Sequence, residues 1–121
     1  MKTFISIVSI IFYGLALYAQ PQDPKAKVAG HSEGIITKSE ILSVEKLIPT
    51  QPDIIILSFT LSYSKGDDII ELISKSDNLT LEMKDHIKQI QAGTEISFEN
   101  IKAKQGDKIL LLESVNLKLK D

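Results

Sequence analysis

The 121-residue chain contains no cysteine, no tryptophan and no arginine. The missing cysteine excludes a disulfide scaffold, a thiolate zinc site, a cysteine nucleophile and a lipoprotein anchor. All 14 basic residues are lysine, set against 16 acidic ones, for a net charge of -2. No global basic field exists to hold nucleic acid. The only two histidines, His31 and His86, stand 55 positions apart and form no local metal motif. The length allows one domain.

What is present begins with a leader. Met1-Lys2-Thr3 supplies one positive charge, and Phe4 to Ala19 carries none. Leu17-Tyr18-Ala19 ends in a small residue before Gln20. A basic start, an apolar run and a small-residue exit describe a secretory signal peptide over residues 1–19. The alternative is a retained anchor, but such a run barely crosses a hydrocarbon core of about 30 Å. The expected compartment is the periplasm or the exterior. Removing 19 of 121 residues leaves 102, with 13 lysines against 16 acids, or -3. Only Phe59, Tyr63 and Phe98 then remain as aromatics, while Ile, Leu and Val make up 30 residues. That composition predicts a packed aliphatic core.

Residues 20–34 have no apolar period and hold two Pro and two Gly, which predicts a flexible linker. Thr37-Lys38-Ser39-Glu40 has capping-box spacing, and predicts one or two helical turns at 38–43. A strand over 35–42 is the competing assignment. Residues 54–64 read as the clearest strand. Ile55, Leu57, Phe59, Leu61 and Tyr63 alternate with Ser58, Thr60, Ser62 and Ser64. Ile54 to Leu57 is apolar in both phases, which predicts cover on both faces.

Lys65-Gly66-Asp67-Asp68 predicts a turn into a return strand over 69–74. Asp67, Asp68, Asp77 and Asn78 lack the spacing of a calcium loop and read as solvated turns. Thr80 predicts the N-cap of a helix over 81–91, with Met83, Ile87 and Ile90 as its apolar stripe. His86 falls at the stripe's edge, and Gly93 sits where a C-cap belongs. Residues 94–104 predict a strand with Ile96 and Phe98 inward. Ile101 follows Phe98 by three, so the phase slips at Glu99-Asn100 and predicts a bulge. Gln105-Gly106-Asp107-Lys108 predicts a hairpin turn. The apolar run 109–112 and the alternating Val115, Leu117 and Leu119 complete the final strand region, with lysines suited to an edge. Strands, turns and one interrupting helix predict an antiparallel sandwich or an α+β roll.

No nucleophile elbow, carboxylate pair or metal spacing stands out. No catalytic, cofactor-binding or metal-ligating residue is assigned, and the expectation is a protein without enzymatic activity. The candidate partner-binding surface is the hydroxyl stripe Ser58, Thr60, Ser62 and Ser64, together with the final strand over 109–119. Strand addition at an open sheet edge is the expected mode.

Some segments carry a resemblance. Gly34 to Leu42 is followed by Leu57-Ser58-Phe59-Thr60-Leu61-Ser62, then by Asn78-Leu79-Thr80, Ile87-Lys88 and Gly93-Thr94-Glu95-Ile96-Ser97-Phe98-Glu99-Asn100-Ile101-Lys102-Ala103-Lys104. With the lysine-rich end, this succession over residues 34–121 resembles the C-terminal domain of the gliding-motility protein GldM. The resemblance implies an immunoglobulin-like, β-rich domain from a dimeric periplasmic rod of type IX secretion and gliding. It implies a binding module without catalytic residues. The turn at Gln105-Gly106-Asp107-Lys108 departs from the family's usual Pro-Asp-Gly followed by a basic residue. The expectation is a mainly β domain over 35–121, an antiparallel immunoglobulin-like β-sandwich with one short amphipathic helix between hairpins, or an α+β variant. Its expected partners are cell-envelope proteins, with a homodimer as one option, no nucleic acid and no membrane span after cleavage. A small periplasmic ligand carrier is the alternative function.

Overall fold

The computed structural model describes residues 25–121. The leader and the first part of the expected linker lie outside the described residues. From Lys25 the chain forms β1 (Ala26–Lys27), β2 (Glu33–Thr37), α1 (Lys38–Ser43), β3 (Ile48–Pro49), β4 (Ile54–Lys65) and β5 (Asp68–Ser74). Then come α2 (Leu81–Gln89), β6 (Glu95–Gln105), β7 (Lys108–Leu112) and β8 (Val115–Lys120). The domain is mainly β and sandwich-like, and its sheet does not close into a barrel.

One layer is a six-stranded sheet in the order β2-β8-β6-β4-β5, with β7 also paired to β6. The other layer consists of the β1–β3 ribbon and the two helices. Their side chains Ala26, Val28, Ile41, Leu47, Met83, Ile87 and Ile90 join one apolar cluster with Phe59, Leu61, Ile96, Phe98 and Leu117 from the sheet. Phe59 and Phe98 pack at the centre with their rings tilted at 56° and centroids 5.9 Å apart, a favoured aromatic geometry. No layer covers the opposite sheet face among the described residues, so buried and exposed side chains largely alternate along the strands, with Thr60 of β4 buried on the outer face as an exception.

Local signals account for the helices. Thr37 accepts from the Glu40 backbone N–H, and the Glu40 carboxylate returns to the Thr37 N–H, which starts α1 as a full capping box. Thr80 accepts from the Met83 N–H and starts α2, whose Met83 and Ile87 are fully buried. Gly66 and Gly106 take positive φ at the first central position of the two hairpin turns, which suits the strand twist.

Several expectations need correction. The linker expected over 20–34 is already part of the fold from Lys25 onward. Ala26 and Val28 are fully buried, β1 pairs with β3, and β2 begins at Glu33. The α2 helix ends at Gln89 with Ile90 as its C-cap. Gly93 instead holds φ 93 in the following turn, where its N–H donates to the Leu119 carbonyl at 2.7 Å. Ile54 and Ile56 face the core, while Ile55 is 61% exposed, so the start of β4 is covered on one face only. The β2–β8 pair is parallel, unlike every other strand pair among the described residues.

Candidate partner-binding surface

The hydroxyl stripe lies on the solvent face of β4, away from the core side chains Phe59, Leu61 and Tyr63. Ser58 faces Lys102, Thr60 lies between Glu99 and Ile73, and Ser62 lies between Ser97 and Glu71. Ser64 faces Ile69. Thr60 is nearly buried beneath these neighbours, whereas Ser64 is exposed. A polar belt thus crosses the sheet, and the Ser97 hydroxyl extends it by donating to Asn116 Oδ1 at 2.7 Å.

The stripe is not an edge. β4 pairs on one side with β6 and on the other with β5, so most of its backbone groups are already engaged. The final strand region divides in two. β8 is interior, held between β6 and β2, while β7 pairs only with β6 among the described residues. The lysines of β8 therefore do not guard a free edge. Among the described residues the edges of the sheet are β2, β5 and β7.

Those edges carry what the sequence reading missed. Ile69 and Ile73 of β5 are 70% and 66% exposed, and Ile109 and Leu111 of β7 are 60% and 74% exposed. Ile55 extends the same outward face on β4. Lys104 sits between Ile55 and Ile109, and Lys102 sits opposite Leu111. The outer face near the β6–β7 turn is therefore apolar and basic together. The signal that was available is the unbroken run Ile109–Leu112, which a strand covered on one face cannot bury completely.

Two clefts flank this sheet. One, of about 410 Å³, opens beside β8 and is lined by Lys25, Glu33, Glu95, Glu113, Asn116 and Lys118 among others. The second, of about 380 Å³, lies between the β4–β5 turn and the end of α2, with Tyr63, Lys65 and His86 in its wall. There the Tyr63 hydroxyl meets His86 Nδ1 at 2.6 Å, and burial pushes the Tyr63 pKa above the ordinary phenol range. His86, expected as a boundary residue, has this partner from across the fold. The other histidine, His31, bonds the Glu40 carboxylate at 3.1 Å, and so braces the capping box. No group of three His, Cys, Asp or Glu side chains suited to a metal occurs among the described residues. No protein-family model matches the chain, and no curated protein matches it either. The exposed aliphatic side chains Ile69, Ile73, Ile109 and Leu111 thus lie on two edge strands of the sheet.

Proposed function

We propose that this chain is an exported, non-catalytic protein-interaction module of the cell envelope, an accessory of type IX secretion or gliding. The observation that carries the reading is the set of large aliphatic side chains on strands with one open edge among the described residues: Ile69 and Ile73 on β5, Ile109 and Leu111 on β7. Soluble proteins commonly blunt such edges with charge, proline or cover, and apolar edges left open favour pairing with another chain. The leader supports export. The resemblance of residues 34–121 to the GldM C-terminal domain supports the envelope setting and the absence of chemistry.

Capture of bound proteins from an envelope extract of the source organism, with the tagged chain as bait, tests the reading. Recovery of secretion or gliding components is expected, together with an exported protein that begins at Gln20. Charge substitutions at Ile73 and Leu111 should reduce recovery while leaving the fold intact. Recovery of no envelope component would remove the secretion and gliding setting, and retention in the cytoplasm would remove export.

A further inference from the structure

The sheet has one strand position that is filled along only half its length. β6 is flanked on one side by two strands lying end to end. β8 pairs with its first part, Glu95–Phe98, and β7 with its last part, Ile101–Gln105. The next position outward is occupied beside β8 by β2, which pairs Glu33–Thr37 with Asn116–Lys120. Beside β7 that position holds no strand among the described residues. The chain turns aside before reaching it. Val28 and His31 close a tight turn with mutual backbone hydrogen bonds, Ala29 and Gly30 take positive φ, and Val28 enters the core.

We infer that an extended segment of a partner protein, with acidic and apolar residues in alternation, docks beside β7 and continues the line of β2. This rests on the interaction-module reading and names the edge and the chemistry of its partner. The edge offers unpaired backbone groups along Lys108–Leu112. Charge complementarity selects the side chains. Lys102 and Lys104 lie one strand inward on the outer face, opposite Leu111 and Ile109, and Lys108 begins β7. None of these three lysines has a carboxylate within ion-pair distance among the described residues. Of the two acids that flank β7, Glu113 pairs with Lys25 at 3.6 Å, and Asp107, in the β6–β7 turn, forms no ion pair with these lysines among the described residues.

An added strand lies two spacings from β6, about 10 Å. A glutamate on its outer face and a lysine of β6 together bridge that distance. The glutamate's methylenes cover Ile109 or Leu111, and its carboxylate meets Lys104 or Lys102. The alternate residues turn inward beside the half-buried Leu110 and the buried Leu112, so apolar side chains match that face. Self-pairing of two β7 strands satisfies the backbone but leaves the lysines of both copies on one face without acids. An anionic membrane satisfies the lysines but leaves the backbone edge unpaired.

The test is an NMR titration of the full chain with a blocked heptapeptide of alternating glutamate and valine. Saturable shifts and new amide protection are expected along Lys108–Leu112, with affinity falling as salt rises. Leu111→Asp, at an exposed position, should keep the fold and weaken binding about tenfold. The double substitution Lys102→Glu with Lys104→Glu should lose the acidic peptide and gain one with lysine in place of glutamate. The inference is overturned by absence of shifts in β7 at millimolar peptide, shifts centred on β5, or equal binding of the lysine peptide to the unaltered chain. It is also overturned by binding to phosphatidylglycerol vesicles alone, by a dimer formed through β7, or by β7 amides already protected in the free chain. Failure of the peptide with successful envelope capture removes only the assigned edge. Peptide binding without envelope capture removes the setting and leaves the edge.

Discussion

The Tyr63 hydroxyl and His86 Nδ1 lie 2.6 Å apart, which ties the inner face of β4 to the last turn of α2. The rings meet edge to face with centroids 6.0 Å apart. Tyr63 is almost wholly buried, so its polar hydroxyl needs a partner. His86 supplies it, and the contact orients the helix whose Met83 and Ile87 close the core.

Tyr63→Phe should therefore lower stability by about 1 kcal/mol, the usual net worth of one such hydrogen bond. His86→Ala should remove the same interaction from the other side. A double-mutant cycle by urea unfolding should give a coupling of about 0.5–1.5 kcal/mol between the two sites. A coupling near zero would mean that the ring packing, and not the hydrogen bond, holds α2.

The same burial sets an alkaline limit. Tyr63 has a raised pKa because burial penalises the phenolate. The unfolded chain ionises this tyrosine first, at a pH of about 10. Its neutral form thus stabilises the fold below that pH, and the contribution falls as pH rises past the unfolded value. Unfolding midpoints on either side of about pH 10, compared with those of Tyr63→Phe, isolate the effect. The unaltered protein should lose more stability across that range than the variant.

The register of β4 on β6 makes a third prediction. Ile54 to Ile56 pair in step with Gln105 to Ala103, Ser58 then faces Lys102, and Thr60 faces Glu99. One residue is gained on β4 at Leu57 and one on β6 near Asn100, so the two irregularities cancel. Asn100 takes φ 51 at the second, in the left-handed region that asparagine tolerates. Asn100→Gly should change stability by less than about 1 kcal/mol, whereas Asn100→Val should cost about 1–3 kcal/mol. Equal effects would show that the backbone relaxes there without strain.

That pair of bulges also marks the limit of legibility. The slip at Asn100 shows in the sequence because Ile101 follows Phe98 at an odd interval. Its counterpart at Leu57 does not, because Ile54 to Leu57 is apolar in either phase. Caps and tight turns are local, and Thr37, Thr80, Gly66 and Gly106 announce them. Strand order depends on distant pairing. Nothing in Glu33-Gly34-Ile35-Ile36-Thr37 announces a parallel neighbour in β8, so neither the ordered lead-in nor the interior place of β8 can be read from local pattern. The hydroxyl stripe is legible as one face of one strand, but its neighbours Glu71, Ser97 and Glu99 come from β5 and β6. Which edges stay open follows only once that order is known.

The capping box of α1 gives an acid-side prediction. The Glu40 carboxylate accepts from the Thr37 N–H at 3.0 Å, from His31 at 3.1 Å and from the Thr37 hydroxyl at 3.1 Å. The backbone bond from Thr37 does most to hold the Glu40 pKa below the ordinary carboxylate value, followed by His31 and the Thr37 hydroxyl. A depressed carboxylate pKa gives stability that is present above the unfolded value and lost as pH falls through the folded one. The N-terminus of α1 should therefore loosen only in acid below the usual glutamate range. An NMR titration of the Glu40 side chain and the Thr37 amide reads this directly. His31→Ala should raise the Glu40 pKa part of the way, because the backbone donor remains. Thr37→Ala keeps that donor as well but loses the hydroxyl cap, and should cost about 0.5–2 kcal/mol. A full return of Glu40 to the ordinary value in His31→Ala would show that the imidazole, and not the backbone, sets its charge.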